Sequence, residues 1–279
     1  MIPLGAAAGI HRWPASLSVA VGLLLAGCGA SSEPAPPIHP DFSIAAPELD
    51  EVLEQVDAVT AERIRTHSQV FLDLVAQVLA ADRSFRVLVD KRHALPQDYV
   101  PTDLVALDTY PITTNRTGHR LSRRVMPDLL AMAEAARIDG IELMVSSAYR
   151  SFDYQDRLYK RHVDQLGREA ADLVSARPGH SQHQLGTAVD FGSISDGYGE
   201  TANGRWVAQH AWRFGFSLSY PLGATERTGY NYEPWHFSYI GRVGTRLERE
   251  FFGGQQQLML EFLAAWAPWF AARRGAAGP

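Results

Sequence analysis

Between Leu49 and Ala81 the apolar residues Leu53, Val56, Val59, Ile64, Phe71, Leu74, Val75 and Val78 recur at intervals near three and four, a period that predicts helix. "RRVMPDLLAMAEAARIDG" is likewise amphipathic and ends on Gly140, a residue suited to close a helix. A short β-branched run, Val87 to Val89, reads as an extended segment feeding a proline-punctuated loop. "IELMVSSAYRS" predicts a buried strand that turns polar at its end, with Ser151 placed to cap a following helix over "FDYQDRLYKRHVDQLG". Alternation from Thr187 to Phe191 predicts a strand carrying Ala188 and Asp190 on one face. "FSLSYP" and "EPWHFSYIG" are strand-like, and "GRWVAQHAWRFGF" is helix-like. From Val243 to Arg274 the pattern is helical again, broken at Gly253-Gly254. Helices and strands mix without a regular βαβ repeat, so the predicted class is α+β and not a doubly wound sheet.

The N-terminus follows a different logic. An apolar run from Leu17 to Leu25 is too short to span a bilayer and fits an export signal. It ends in "LLAGC", which is similar to a bacterial lipobox, so Cys28 is the expected lipidation site. The expected location is the cell envelope, with the protein tethered to a membrane by acyl chains and without a spanning helix. "GASSEPAPPIHPDFSIAAP" has no apolar period and reads as a spacer. These shifts divide the chain into a signal (1–27), a tether (28–47), a helical extension (48–84), a main domain (85–242) and a helical tail (243–279). The tail segment "LMLEFLAAWAPWFAA" is apolar enough to pack on the domain, which is the expectation, or to meet a partner or a membrane surface.

Of 279 residues, 46% are hydrophobic and the net charge is -5, which gives no support for nucleic-acid binding. Cys28 is the single cysteine, so a multi-cysteine zinc site is excluded, and because it belongs to the export signal a cysteine nucleophile is not expected. Neither lysine has a serine three residues before it, and no histidine precedes a glutamate, so S-x-x-K and H-E-x-x-H chemistry are absent. What remains is "SQHQLGTAVD", with His183 and Asp190, and "EPWHFSYIG", with Glu233 and His236. Hydrolytic zinc commonly takes three His/Asp/Glu ligands and leaves one position open, so His183, Asp190 and His236 suit the metal while Glu233 suits a general base. On spacing alone the same residues also fit a packed strand histidine and a chance His-Asp pair. Residues three apart on a regular strand face opposite sides, so Pro234 must mark a kink if Glu233 and His236 share a pocket.

Taken together and in order, "SSAYRSFDYQDRLY", "PGHSQHQLGTAVDF" and "GYNYEPWHFSYIG" closely resemble the three motif blocks of VanY-type D-alanyl-D-alanine carboxypeptidases. "LVDKRHALPQDYVPTDLV" is similar to the segment that opens that family's domain, and the resemblance covers roughly 86–241. It implies a small antiparallel sheet flanked by helices, of the hedgehog and D-Ala-D-Ala peptidase kind, with N- and C-terminal helices added. It implies Zn2+ held by His183, Asp190 and His236, Glu233 as catalytic base, and Arg150 binding substrate and stabilising the polarised carbonyl. Ser181, Gln155, Tyr149 and Trp235 become pocket residues, and His180 a loop or supporting residue. Two departures stand out: Ala148 where the family often has Gly, and Gln182 where it often has Glu. The implied activity is hydrolysis of the terminal D-alanine bond, D,D or L,D, of peptidoglycan stem peptides. An endopeptidase of the same fold and a non-catalytic zinc-containing wall-binding module are the alternatives.

Overall fold

Asp57 keeps one helical stretch from running into the next. Its carboxylate accepts the main-chain N–H groups of Val59 at 3.1 Å and Thr60 at 3.0 Å, which starts a new helix. His67, at φ −126° and ψ 39°, makes a second break, so the single helical region expected over Leu49–Ala81 is three helices: α1 (Ala46–Leu53), α2 (Ala58–Thr66) and α3 (Ser68–Ala80). The computed structural model describes residues 35–275, so Cys28 and the signal segment lie outside the described residues.

Two short strands follow, β1 (Leu104–Ala106) and β2 (Thr113–Thr114), then β3 (Arg120–Ser122) and α4 (Met126–Ile138). Gly140, at φ +74°, lies just beyond α4. Next come β4 (Met144–Ser147), α5 (Phe152–Leu166) and α6 (Arg168–Val174), with the Ser151 hydroxyl accepting the Tyr154 N–H at 3.2 Å to open α5. The remaining elements are β5 (Ala188–Phe191), α7 (Ala202–His210), β6 (Phe216–Leu218), the single turn α8 (Thr225–Thr228), β7 (His236–Tyr239), α9 (Arg242–Phe251) and α10 (Gln256–Arg273).

β1 and β3 form an antiparallel pair, and the main sheet runs β2-β4-β5-β7-β6. All its pairings are antiparallel except the edge pair β2–β4. Alternation divides the central strands cleanly. Val189, Phe191, Phe237 and Tyr239 join a core formed with α4 and α7, while Ala188, Asp190, His236 and Ser238 occupy the other face. Asp190 and His236 are direct cross-strand partners.

A second core joins the N-terminal helices to α9 and α10, with Phe71 edge-on to Phe251, Phe262 and Phe270 at ring separations of 5.1, 5.9 and 6.1 Å. The C-terminal segment therefore packs on the protein. Among the described residues no helix is long and apolar enough to cross a membrane.

Two local expectations are corrected. Val87–Val89 is not a strand, because no neighbouring edge pairs with it; Val89 is buried from a loop instead. The described part of the expected tether is not free: Phe42 and Ile44 are buried in the helical core, and the Ser43 N–H donates to the Arg273 carbonyl at 2.8 Å. Two apolar anchors suffice to dock a segment that has no periodicity to reveal it.

Glu248 of α9 is buried in this region and accepts the Ser217 hydroxyl at 2.7 Å. Burial lifts its carboxyl from 4.5 to about 7, against the lowering effect of that hydrogen bond. The native state thus holds the proton more tightly than the unfolded chain. The contribution to stability is complete below the unfolded value and is lost as pH rises through about 7. The full difference is at most about 3 kcal/mol. Glu248→Gln should therefore gain melting temperature over wild type progressively between pH 5 and pH 8, and a pH-independent difference would contradict a protonated Glu248.

Candidate metal centre

The cross-strand pairing of β5 with β7 sets Asp190 opposite His236, and a loop delivers the third group. Ser181 leads into a short turn of 3-10 helix over Gln182–Leu185, which ends on Gly186 at φ +72°. The left-handed backbone favours glycine there, and a Cβ would crowd Leu104 at 2.9 Å and Pro101 at 3.0 Å. The turn lowers His183 onto the polar face of the sheet. His183, Asp190 and His236 are only 1%, 0% and 4% exposed.

Their hydrogen bonds fix where the protons sit. His183 Nδ1 is 2.6 Å from the Ala148 carbonyl, which only accepts, so this nitrogen carries the hydrogen. His236 Nε2 is 3.0 Å from Gln182 Oε1 and donates likewise. Each ring is left with a lone pair on its other nitrogen, and the two lone pairs face Asp190 Oδ1. His183 Nε2 is 3.2 Å from that oxygen and His236 Nδ1 is 3.1 Å from it, while the two nitrogens are 3.2 Å apart. Asp190 Oδ1 is buried without a hydrogen-bond donor. Burial and the Arg150 charge depress the His183 imidazole to about 4, so at neutral pH it does not supply the missing proton. Burial opposes charge on Asp190, but His183 and Arg150 hold its carboxyl well below the usual carboxylate range.

Three acceptors converge on one point and Asp190 Oδ1 has no donor, an arrangement that a bound cation satisfies. Zinc bonds to nitrogen and oxygen at about 2.0–2.2 Å put tetrahedral ligands roughly 3.3 Å apart. The observed triangle matches that spacing, and it is the one cluster among the described residues able to hold an ion in this way. Arg150 shares the site without completing it. Its Nη2 lies 2.5 Å from Asp190 Oδ2 and 3.0 Å from His183 Nε2, and its Nε donates to Ser147 Oγ at 2.9 Å.

Glu233 reaches the same pocket through a turn. The His236 N–H donates to the Glu233 carbonyl at 3.1 Å, so Pro234 and Trp235 span a bend that ends where β7 begins. Glu233 Oε2 then lies 3.6 Å from His236 Nδ1, close to the centre yet outside bonding range of the ring. Burial raises its carboxyl to about 7, with His236 pulling it down and Asp190 pushing it up.

A cavity of about 160 Å³ opens onto this cluster, lined by Arg150, Ser181, Glu233, Trp235 and the two histidines among others. Two expected pocket residues do not line it. Gln155 is buried behind Arg150, its Oε1 3.5 Å from Nη1 and its amide bound to the Ala176 carbonyl at 2.8 Å, because the first turn of α5 points inward. Tyr149 turns away and stacks beneath the Arg120 guanidinium at 5.3 Å. His180 points to the Asp90 carbonyl, 2.7 Å away, and anchors the loop. The sequence reading missed Tyr220 and Tyr230, which line the cavity; the Tyr220 ring is 4.8 Å from His236. Tyr230 lies inside a quoted motif, but an aromatic in a strand-like run carries no signal that separates a wall from a core.

A family model described as VanY, D-alanyl-D-alanine carboxypeptidase, matches residues 118–242. The solved structure of the vancomycin resistance D,D-pentapeptidase VanY from a VanB-type cassette, in complex with Zn(II), is 31% identical with a TM-score of 0.54, covering 65% of this chain and 99% of that one. The chain belongs to the VanY D-alanyl-D-alanine carboxypeptidase family. The LdcB LD-carboxypeptidase is also similar, at 31% identity and a TM-score of 0.57 over 62% of this chain and 84% of that one. The putative carboxypeptidase YodJ of Bacillus subtilis is 38% identical over 167 residues, 57% of this chain and 61% of YodJ. The chain spans about three fifths of the length of the curated relatives it matches. The VanY match covers the ligand loop, the central strands and the Glu233 turn, and leaves α1–α3 and α10 outside.

Zinc added to chelator-treated protein should raise its unfolding temperature, since a ligand at 100 times its dissociation constant stabilises by about 2.7 kcal/mol. Asp190→Asn should lose most of that gain in the same thermal melt. Equal shifts in the two proteins would put the ion elsewhere.

Proposed function

We propose that this protein is a zinc-dependent carboxypeptidase that removes the terminal D-alanine of peptidoglycan stem peptides, cutting a D,D or an L,D bond. The observation that carries this reading is the triangle of buried acceptors at 3.1–3.2 Å, with Glu233 and Arg150 beside it at the mouth of one small cavity. Similarity to a D,D-pentapeptidase and to an LD-carboxypeptidase supports both bond types.

Zinc held by His183, Asp190 and His236 would supply Lewis-acid polarisation of the scissile carbonyl and a more acidic water. The other steps belong to the chain. Glu233 takes a proton from the attacking water and returns it to the leaving amine, a shuttle suited to its place 3.6 Å from His236 and outside the ligand set. Arg150 is held in its orientation by Ser147 and Gln155 and presents a permanent positive charge to the carbonyl oxygen or the terminal carboxylate. Trp235 and Ser181 border the space for the terminal residue, and a cavity of about 160 Å³ suits one small residue better than a cross-linked strand. The lipobox-like "LLAGC" supports export and acylation at Cys28, which would tether the enzyme at a bacterial membrane beside its substrate.

The test is release of D-alanine from defined stem pentapeptides and tetrapeptides, with chelator and with zinc restored. Glu233→Gln should lower kcat by about 10²- to 10⁴-fold while keeping its zinc content. Release from the pentapeptide alone assigns the D,D bond, and release from the tetrapeptide alone the L,D bond. A zinc-loaded protein that cleaves neither peptide but cuts a cross-linked fragment would favour the endopeptidase, and one that cleaves none of them would sink the enzyme reading in favour of a wall-binding module.

A further inference from the structure

His236 can offer Nδ1 to a metal only while its proton stays on Nε2, and what keeps it there lies partly outside the family-matched segment. The Nε2–H group donates to Gln182 Oε1 at 3.0 Å, and the Ser238 hydroxyl donates to the same oxygen at 2.6 Å. Gln182 is a primary amide, and its NH2 and oxygen are nearly equal in shape. Rotated by half a turn it would present N–H to His236 and favour the other tautomer, with the proton on Nδ1 and the ligand lone pair lost. Ser238 does not prevent this, because a hydroxyl can donate or accept.

The polarity is set from the far side. Gln182 Nε2 donates to Gln256 Oε1 at 3.1 Å. Gln256 Nε2 in turn lies 3.4 Å from the main-chain carbonyl of Ser217, a group that can only accept. That carbonyl fixes Gln256, Gln256 fixes Gln182, and Gln182 fixes the His236 ring. Gln182 and Gln256 are 4% and 1% exposed, so both amides are shielded from bulk solvent and rely on buried partners. Gln256 is the first residue of α10, beyond the matched residues 118–242. Its neighbour Gln257 donates to Asp90 Oδ2 at 2.7 Å, and the Asp90 carbonyl holds His180 of the ligand loop. Both amides of the helix's first turn thus support the site. The departure at Gln182 also becomes intelligible: a carboxylate has no N–H that needs orienting, whereas an amide does.

We propose that the first turn of the C-terminal helix is a positioning element of the metal centre, in which Gln256 orients the Gln182 amide and so locks His236 in the tautomer whose Nδ1 is free to bind zinc. The proposal rests on His236 being a ligand. Gln256 is a positioning residue and touches neither ion nor substrate.

The test uses the full protein in two readouts, the imidazole nitrogen-15 shifts of His236 in the metal-free state and the zinc dissociation constant by chelator competition. Wild type should show His236 protonated on Nε2. Gln256→Leu should raise the Nδ1-protonated population and weaken zinc binding by about tenfold or more. Gln256→Asn, polar but one methylene short, should shift both in the same direction with less disturbance of the core. Gln182→Glu should make Gln256 dispensable: in that background Gln256→Leu should leave the tautomer unchanged and zinc affinity within about twofold. Wild-type tautomer and affinity in both Gln256 variants would overturn the proposal. So would a zinc defect that persists undiminished with Glu at 182, which indicates general damage by the helix. Failure of wild type to bind zinc would instead defeat the reading of the site, while the metal-free tautomer measurement would still judge the relay.

Discussion

Three lone pairs pointing at one another in a dry pocket are unfavourable without a positive charge between them, and that constraint organises this protein. His183 Nε2, His236 Nδ1 and Asp190 Oδ1 lie 3.1–3.2 Å apart and are almost fully buried. Asp190 Oδ1 has no donor, and leaving one such buried group unpaired costs on the order of 1–3 kcal/mol, more where it is charged. Arg150 Nη2 donates to His183 Nε2 at 3.0 Å, but no donor reaches Asp190 Oδ1. The imidazole protons are taken by Ala148 and Gln182, and Arg150 reaches Oδ2 and His183 but not Oδ1.

The fold supplies this arrangement through the pleat of two strands. On β5 and β7 one set of alternate residues builds the apolar core with α4 and α7, and the other set builds the site. A one-residue slip between them would separate Asp190 from His236 and send the ligands into the core, so core packing and ligand geometry enforce the same register. The helical layer made by α1–α3, α9 and α10 adds a second core behind the site loop. Through Gln256 and Gln257 it reaches the supports of that loop.

Much of this was legible in the chain, for identifiable reasons. Long amphipathic segments, the Ser151 cap and the alternation of Thr187–Phe191 depend on local chemistry, and all three are found in the structure. The ligand set was legible through the resemblance of the motif blocks and not through spacing, which a chance His-Asp pair fits equally well; the structure brings His183, Asp190 and His236 together, and Pro234 marked the bend that brings Glu233 round. The misses depend on contacts distant in sequence. Val87–Val89 has strand-like residues but no partner edge, and the docking of Phe42 and Ile44 needs a helix more than two hundred residues away. Gln155 and Tyr149 sit in the right motif, yet which side of a helix or turn faces the cavity is decided by tertiary packing. Gln256 carried no signal at all, since a glutamine at a helix start is unremarkable until its partner is seen.

The central claim is that the buried triangle is a zinc site made of two imidazoles and one carboxylate. X-ray absorption at the zinc edge, on zinc-loaded protein, measures this directly. The account predicts one four-coordinate zinc with a shell of nitrogen and oxygen near 2.0–2.1 Å, two imidazole rings in the outer scattering and no sulfur. A shell containing sulfur, or one without two imidazoles, would contradict it.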